Sequence, residues 1–206
     1  MAPKVLLVDL DGVIRHWRQP DTPIEIAHGR PTGSIKKAAF ASNQLWPAIT
    51  GQISDKEWRS RVAAYLGATY RVPTAAQAIK QWSEQPVEVD QRVLSLLRLC
   101  ESVARIVLVT NATSRLASDL QSMGIASHFS AVINSSEVGV AKPEAGFFQT
   151  ALSRVQATPG QALLIDDTLA NVEAAENLGI TAHRFVGYTE LSSFLQESGV
   201  LHEPAL

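Results

Sequence analysis

The sequence predicts a three-layer α/β fold: a doubly wound parallel sheet with a small helical cap inserted after its first strand. Three observations carry this. Short unbroken apolar runs at residues 4–8, 105–109 and 162–165 have the character of strands buried on both faces. From residue 90 onward, helical periodicity alternates with such runs, as in repeated strand–helix units. Residues 16–88 break the alternation and read as mainly helical.

The elements follow in order. The first strand, 4–8, stops at Asp9-Leu10-Asp11-Gly12. In the inserted segment, Ser54-Asp55-Lys56-Glu57 is a capping box ahead of Trp58, Val62 and Tyr65, and Gly67 is expected to end that helix. Residues 74–82 suit another helix, and Pro86 marks the return to the sheet. Apolar residues at 93, 96, 97 and 100 predict a helix over 90–100, ahead of the strand at 105–109. Leu116, Leu120 and Met123 mark a helix that stops at Gly124. A weaker strand covers 129–133. A helix follows with Pro143 at its first position, where a missing N–H is no loss, so that Lys142 stands at a helix N-terminus. The strand at 162–165, a helix over 169–178 closed by Gly179, a strand over 181–186 and a helix over 188–197 complete the chain. The expected division is a core of 1–15 and 89–206 and a cap of 16–88.

Composition narrows the function. Of 206 residues, 46% are hydrophobic and 18% charged, which suits a packed core and excludes a disordered chain. A net charge of -2 argues against a nucleic-acid binder that works by neutralising phosphates. No apolar run approaches the roughly 18 residues of a membrane span. The opening Met1-Ala2-Pro3-Lys4 is unlike a signal peptide, so a cytoplasmic setting is expected. The single cysteine, Cys100, excludes an internal disulfide and reads as a packed thiol beside Leu97 and Leu99. The charge is uneven: residues 15–89 hold 10 basic and 6 acidic side chains, the remainder 8 and 14. All four tryptophans precede residue 90.

Ligands of parallel α/β sheets collect beyond the carboxyl ends of the strands. The polar residues there are Asp9 and Asp11, Thr110 and Asn111, and Asp166 and Asp167, with Lys142 nearby. Four converging carboxylates repel one another unless a proton or cation compensates. Oxygen ligands without histidine favour a hard ion such as Mg²⁺, which commonly shares its shell with phosphate. A lysine and a hydroxyl beside such an ion describe a phosphate site.

These residues, in this order, resemble the four motifs of the haloacid dehalogenase superfamily. The resemblance covers 4–15 and 90–190 and includes Asp9-Leu10-Asp11-Gly12-Val13-Ile14, Thr110-Asn111, Lys142-Pro143 and Asp166-Asp167. The stretches 137–144 and 166–175 look most like sugar-phosphate phosphatases and the phosphatase domain of bifunctional epoxide hydrolases. The resemblance implies a Mg²⁺-dependent phosphatase of small phosphorylated metabolites. Asp9 is then the nucleophile that forms an aspartyl-phosphate, and Asp11 the general acid and base. Proximity to other carboxylates is expected to help Asp11 hold its proton. Thr110, the Asn111 backbone N–H and Lys142 hold phosphate. Asp9, the Asp11 carbonyl and one of Asp166 and Asp167 bind the metal, with Asp167 as the direct ligand and Asp166 acting through water or from behind the ligands. Asn171 either orients Asp167 or lies on a helix surface.

The cap is expected to select the substrate and to close over Asp9. Arg15, His16, Trp17 and Arg18 directly follow the nucleophile loop, and Trp46 is a further candidate to line the pocket. Trp58 and Trp82 read as cap core. Aromatic faces beside arginine suit a sugar phosphate. The alternatives are a sugar phosphomutase or dehalogenase of the same superfamily, and a catalytically silent binding member. Dehalogenating members lack an acid at the position of Asp11, since halide leaves unprotonated. Neither a nucleic acid nor a membrane is an expected partner, and the chain reads equally as monomer or homodimer.

Overall fold

The computed structural model describes residues 4–17, 19–71 and 73–201. Its centre is a five-stranded parallel sheet of order β5-β4-β1-β6-β7. The strands are β1 (Val5–Val8), β4 (Arg105–Thr110), β5 (Ala131–Asn134), β6 (Ala162–Asp166) and β7 (Thr181–Arg184). Val5 to Val8 pair with Arg105 to Leu108 on one side and with Ala162 to Ile165 on the other.

Alternation along these strands builds the three layers. Leu6, Val8, Ile106, Leu108, Leu163 and Ile165 face one side. There they meet α6 (Gln91–Leu99), α7 (Leu116–Ser122) and α11 (Tyr188–Glu197). Val5, Leu7, Val107, Val109 and Leu164 face the other side, against α9 (Ala145–Arg154) and α10 (Leu169–Glu176). A short α8 (Ser135–Val138) follows β5. Fully buried strands explain why the apolar runs lack polar interruptions until their carboxyl ends. Cys100 lies in the first of these layers, fully buried, and burial pushes its thiol pKa up to about 11.

The cap consists of α1 (Thr22–Ala27), α2 (Ser34–Ala39), α3 (Ser42–Ile49), α4 (Asp55–Tyr70) and α5 (Ala75–Ser83). A two-stranded antiparallel ribbon, β2 (Arg15–His16) with β3 (Glu88–Val89), joins it to the sheet domain. The boundary expected at 15/16 and 88/89 falls across this ribbon. The cap has its own core, with Ile35, Ala39, Ala48, Trp58, Val62, Leu66 and Ile79 buried together.

Two helix ends differ from expectation. Ser54 Oγ accepts from the Glu57 N–H at 3.2 Å, the N-cap half of the expected capping box, but α4 passes through Gly67 and ends at Arg71, whose φ is 52°. Residues 58, 62, 66 and 70 form an i, i+4 stripe against the cap core, and this packing outweighs the propensity of one glycine. Tyr65 lies off that stripe and is half-exposed. Pro143 is not the first residue of α9: Glu144 is the N-cap and the helix starts at Ala145. Lys142 therefore precedes the helix instead of standing in its first turn.

Cap and sheet domain touch closely. The Asp55 N–H donates to Ser114 Oγ at 3.0 Å, and the Thr113 hydroxyl donates to Asp55 Oδ1 at 3.0 Å. Arg115 Nη1 donates to the Ser83 carbonyl at 3.1 Å. No helix among the described residues is long and apolar enough to cross a membrane.

Candidate functional site

The topology sets the site. β1 lies between β4 and β6, and the chain runs outward from β4 on one side and from β6 on the other. The crevice at that switch opens beside β1, where Asp9 continues the ladder by donating its N–H to the Ile165 carbonyl.

Lys142 is the electrostatic centre. Its Nζ donates to Asp9 Oδ1 at 2.8 Å, Asp166 Oδ2 at 2.6 Å and the Val109 carbonyl at 3.0 Å. All three ammonium protons are thus used, and the side chain is buried. Burial opposes its charge, but Asp9 and Asp166 outweigh burial and raise its pKa above the usual lysine value. Asp9 moves in the same direction. Desolvation pushes its carboxyl up to about 6, against the pull of Lys142 and with help from Asp166.

Asn111 holds the lysine in place. Its Oδ1 accepts from the Lys142 N–H at 2.8 Å and its Nδ2 donates to the Lys142 carbonyl at 2.9 Å. The side chain, not only the expected backbone N–H, therefore has work at this site. Thr110 ends β4, nearly fully buried, in register with Asn134. Asn134 Nδ2 in turn donates to the Thr113 carbonyl, steadying the loop beyond Asn111.

The two acids after β6 differ sharply. Asp166 is completely buried. Lys142 takes its Oδ2, while its Oδ1 accepts from the Thr168 N–H and from Asn171 Nδ2, each at 2.9 Å. Asn171 thus orients Asp166, where the reading of the sequence offered it only Asp167 or solvent. Asp167 is half-buried, and its Oδ2 lies over Gly12. A β-carbon on Gly12 would sit 2.1 Å from that oxygen, and φ there is +84°, so only glycine fits.

Asp9, Asp166 and Asp167 each present an oxygen within 4.8 Å of the others. This all-oxygen set of carboxylates fits a hard cation such as Mg²⁺. Gly12→Ala is expected to displace Asp167. Were Mg²⁺ held by this set, titration calorimetry should show its affinity fall at least tenfold in the variant.

Asp11 sits differently from expectation. Its carboxylate is held by a cation and an indole. Arg15 clamps both oxygens at 2.7 Å, and Trp17 Nε1 donates to Oδ1 at 2.9 Å. Arg15 also reaches Asp119 at 3.3 Å, and its guanidinium lies 5.1 Å from the centre of the Trp17 ring. Burial acts against the Arg15 charge, but Asp11 and Asp119 prevail and raise its pKa. The reason is local: Arg15 follows Asp11 by four residues, and the turn at 11–14 folds one onto the other.

A cavity of about 410 Å³ opens between cap and sheet domain, with Asp11 and Asn111 in its wall. Arg15 and Trp17 line it. His16, between them on the ribbon, pairs in register with Glu88 and does not, as strand alternation requires. Trp46 is outside it too, because Leu45 and Ile49 are the α3 residues that face inward, one turn apart. Trp58 and Trp82, read from the sequence as cap core, do both jobs: they pack together at 5.9 Å and line the cavity. Arg18 lies outside the described residues. Phe40, Arg115 and Asp119 also line the cavity, and no local motif marks any of them in the sequence. Among the described residues of 15–89, Arg15 and Lys36 are the basic side chains that reach the wall, each against a carboxylate.

Comparison with known proteins agrees with this architecture. The family profile of haloacid dehalogenase-like hydrolases matches residues 3–179. The mouse haloacid dehalogenase-like hydrolase domain-containing protein 3 is 28% identical over 143 residues, covering 67% of this chain but 56% of the mouse protein. A haloacid dehalogenase-family enzyme of Bacteroides thetaiotaomicron, solved with magnesium and inorganic phosphate, superposes with a TM-score of 0.72 at 20% identity. That match covers 88% of this chain and 93% of the other. The L-2-haloacid dehalogenase of Xanthobacter autotrophicus superposes with a TM-score of 0.65 at 16% identity, covering 96% and 83%. The parallel sheet, the inserted cap and the profile match over most of its length make this chain a member of the haloacid dehalogenase-like hydrolases.

Proposed function

We propose that the protein is a Mg²⁺-dependent phosphatase that hydrolyses a small phosphate monoester through a phosphorylated Asp9. One observation carries the reading. Two carboxylates, two residues apart, take separate environments: Asp9 buried on Lys142, and Asp11 in the wall of the substrate-sized cavity. That is the separation of tasks a nucleophile and a proton donor need.

Asp9 attacks phosphorus while the bond from phosphorus to the leaving oxygen breaks. Asp11, protonated from solvent once it is free of Arg15, gives that proton to the leaving oxygen. Asp11 then takes a proton from water as the water oxygen attacks the phosphorus, which frees phosphate and restores Asp9. Lys142 balances the charge of Asp9 throughout, and Thr110 with the Asn111 N–H receives phosphate oxygens. Before donating, Asp11 must leave Arg15 and Trp17, so the incoming ester competes with both for its carboxyl. Asp9 and Asp167, with the Asp11 carbonyl, would hold the metal, and Asp166 would position Lys142 beside it. Bound Mg²⁺ would neutralise phosphate charge. The cap would exclude water during transfer. In a dehalogenation, halide departs without a proton and Asp11 has no task, which places that chemistry second.

The test is phosphate release from a panel of monoesters with and without Mg²⁺. Release that requires Mg²⁺ supports the proposal. Halide release from a haloacid in place of phosphate release contradicts it.

The Asp9 environment adds a pH dependence. Its carboxyl titrates near 6 in the folded protein, above the ordinary 3.8. The fold therefore favours the protonated acid, a contribution present below 3.8 and lost as pH rises through 6. Mg²⁺ needs the ionised form, so its affinity is expected to fall about tenfold per pH unit below that midpoint. Thermal shift measurements should show Mg²⁺ raising Tm more at neutral pH than at pH 5.

A further inference from the structure

We infer that the alcohol esterified to phosphate carries a flat, uncharged group, such as an aromatic ring, seated among the cap's own rings. This rests on the phosphatase reading and names the class of substrate. Asp11 lies in the cavity wall, so the oxygen it protonates enters the cavity and the rest of the leaving group fills it.

The wall is aromatic. Phe40 meets Trp82 edge to face at 6.2 Å, and Trp82 meets Trp58 at 5.9 Å, forming a ladder of three rings. Trp17 lines the same space from the ribbon. Phe40 and Trp17 remain 53% and 44% exposed, so a broad apolar surface in the cavity wall is left uncovered among the described residues. A planar guest would cover that surface and find edge and face contacts ready.

The charges point the same way. Among the described residues, each cation in the wall already faces an acid: Arg15 meets Asp11 and Asp119, Arg115 meets Asp119, and Lys36 meets Asp21 at 3.4 Å. Among the described residues the wall presents four carboxylates and three cations, so a second phosphate or a carboxylate on the substrate would have to compete with acids already paired to those cations. The polar side chains beside Trp82 are engaged as well: the Ser83 hydroxyl donates to Lys80, and Gln85 Nε2 donates to Asp21. A sugar hydroxyl placed at these two groups would compete with those bonds, whereas an apolar ring would not.

The experiment compares phenethyl phosphate, ethyl phosphate and a hexose phosphate. All three are esters of ordinary alcohols, so the reacting bond is closely matched. The phenethyl ester is expected to show a kcat/KM about tenfold or more above the other two, expressed mainly in KM. Phe40→Ala and Trp82→Ala should bring that ratio toward one, and Tyr65→Ala, on the cap but outside the cavity, should leave it unchanged. Equal or better turnover of the ethyl or hexose ester would overturn the inference. Phenethyl alcohol alone provides a readout free of turnover, through saturable quenching of tryptophan fluorescence that Phe40→Ala weakens. Quenching without phosphate release from any ester supports the aromatic site and contradicts the phosphatase reading. Phosphate release with no phenethyl preference and no quenching does the reverse.

Discussion

Asp9→Asn is expected to lower phosphate release by roughly 10⁴-fold or more, since loss of a nucleophile that acts as one unit with its neighbours removes nearly all catalysis. The amide keeps the size of the side chain but cannot attack phosphorus. Substrate binding should survive, because the cavity wall and the Thr110–Asn111 edge are untouched. Steady-state kinetics at saturating Mg²⁺ should therefore find KM little changed and kcat collapsed. A variant that lost binding and turnover equally would place Asp9 in binding instead.

Lys142→Met should be the most destabilising single change at the site. It removes the only cation that the two buried acids Asp9 and Asp166 share among the described residues. Breaking a buried pair from one side typically costs about 3–5 kcal/mol, because the stranded charges stay desolvated. For a chain of this size that corresponds to a fall in Tm of very roughly 6–20 °C. Adding Asp9→Asn in the same chain should recover part of the loss, as one stranded carboxylate disappears. Chemical denaturation of the single and double variants measures both effects. Equal stabilities would show that the lysine is not the charge that holds the two acids together.

The reach of the sequence has a physical pattern. Asp9, Thr110–Asn111 and Asp166–Asp167 were visible because each interrupts a fully apolar strand at its carboxyl end. A parallel sheet then brings those ends together whatever the loops do. The distinction between Asp166 and Asp167 was not visible in the same way. It depends on Asn171, five residues on in α10, and on Lys142 reaching across from another loop. The Arg15 clamp on Asp11 spans only four residues but depends on the turn at 11–14, and its link onward to Asp119, 104 residues away, leaves no local trace. In the cap, apolar periodicity marked the helices but not their rotation. That is why Trp46 turns outward while Trp58 and Trp82 reach the cavity, and why α4 runs through Gly67. Small helical layers take their orientation from tertiary packing, which leaves little trace in local pattern.

The most direct test of the account is to trap the covalent intermediate. The protein is quenched in acid during turnover of a radiolabelled phosphate monoester with Mg²⁺, then digested and mapped. The account predicts label on the peptide containing Asp9, released by hydroxylamine as an acyl phosphate would be, and absent from Asp9→Asn. Phosphate release that continues undiminished in Asp9→Asn, with no label on the wild-type peptide, would contradict it.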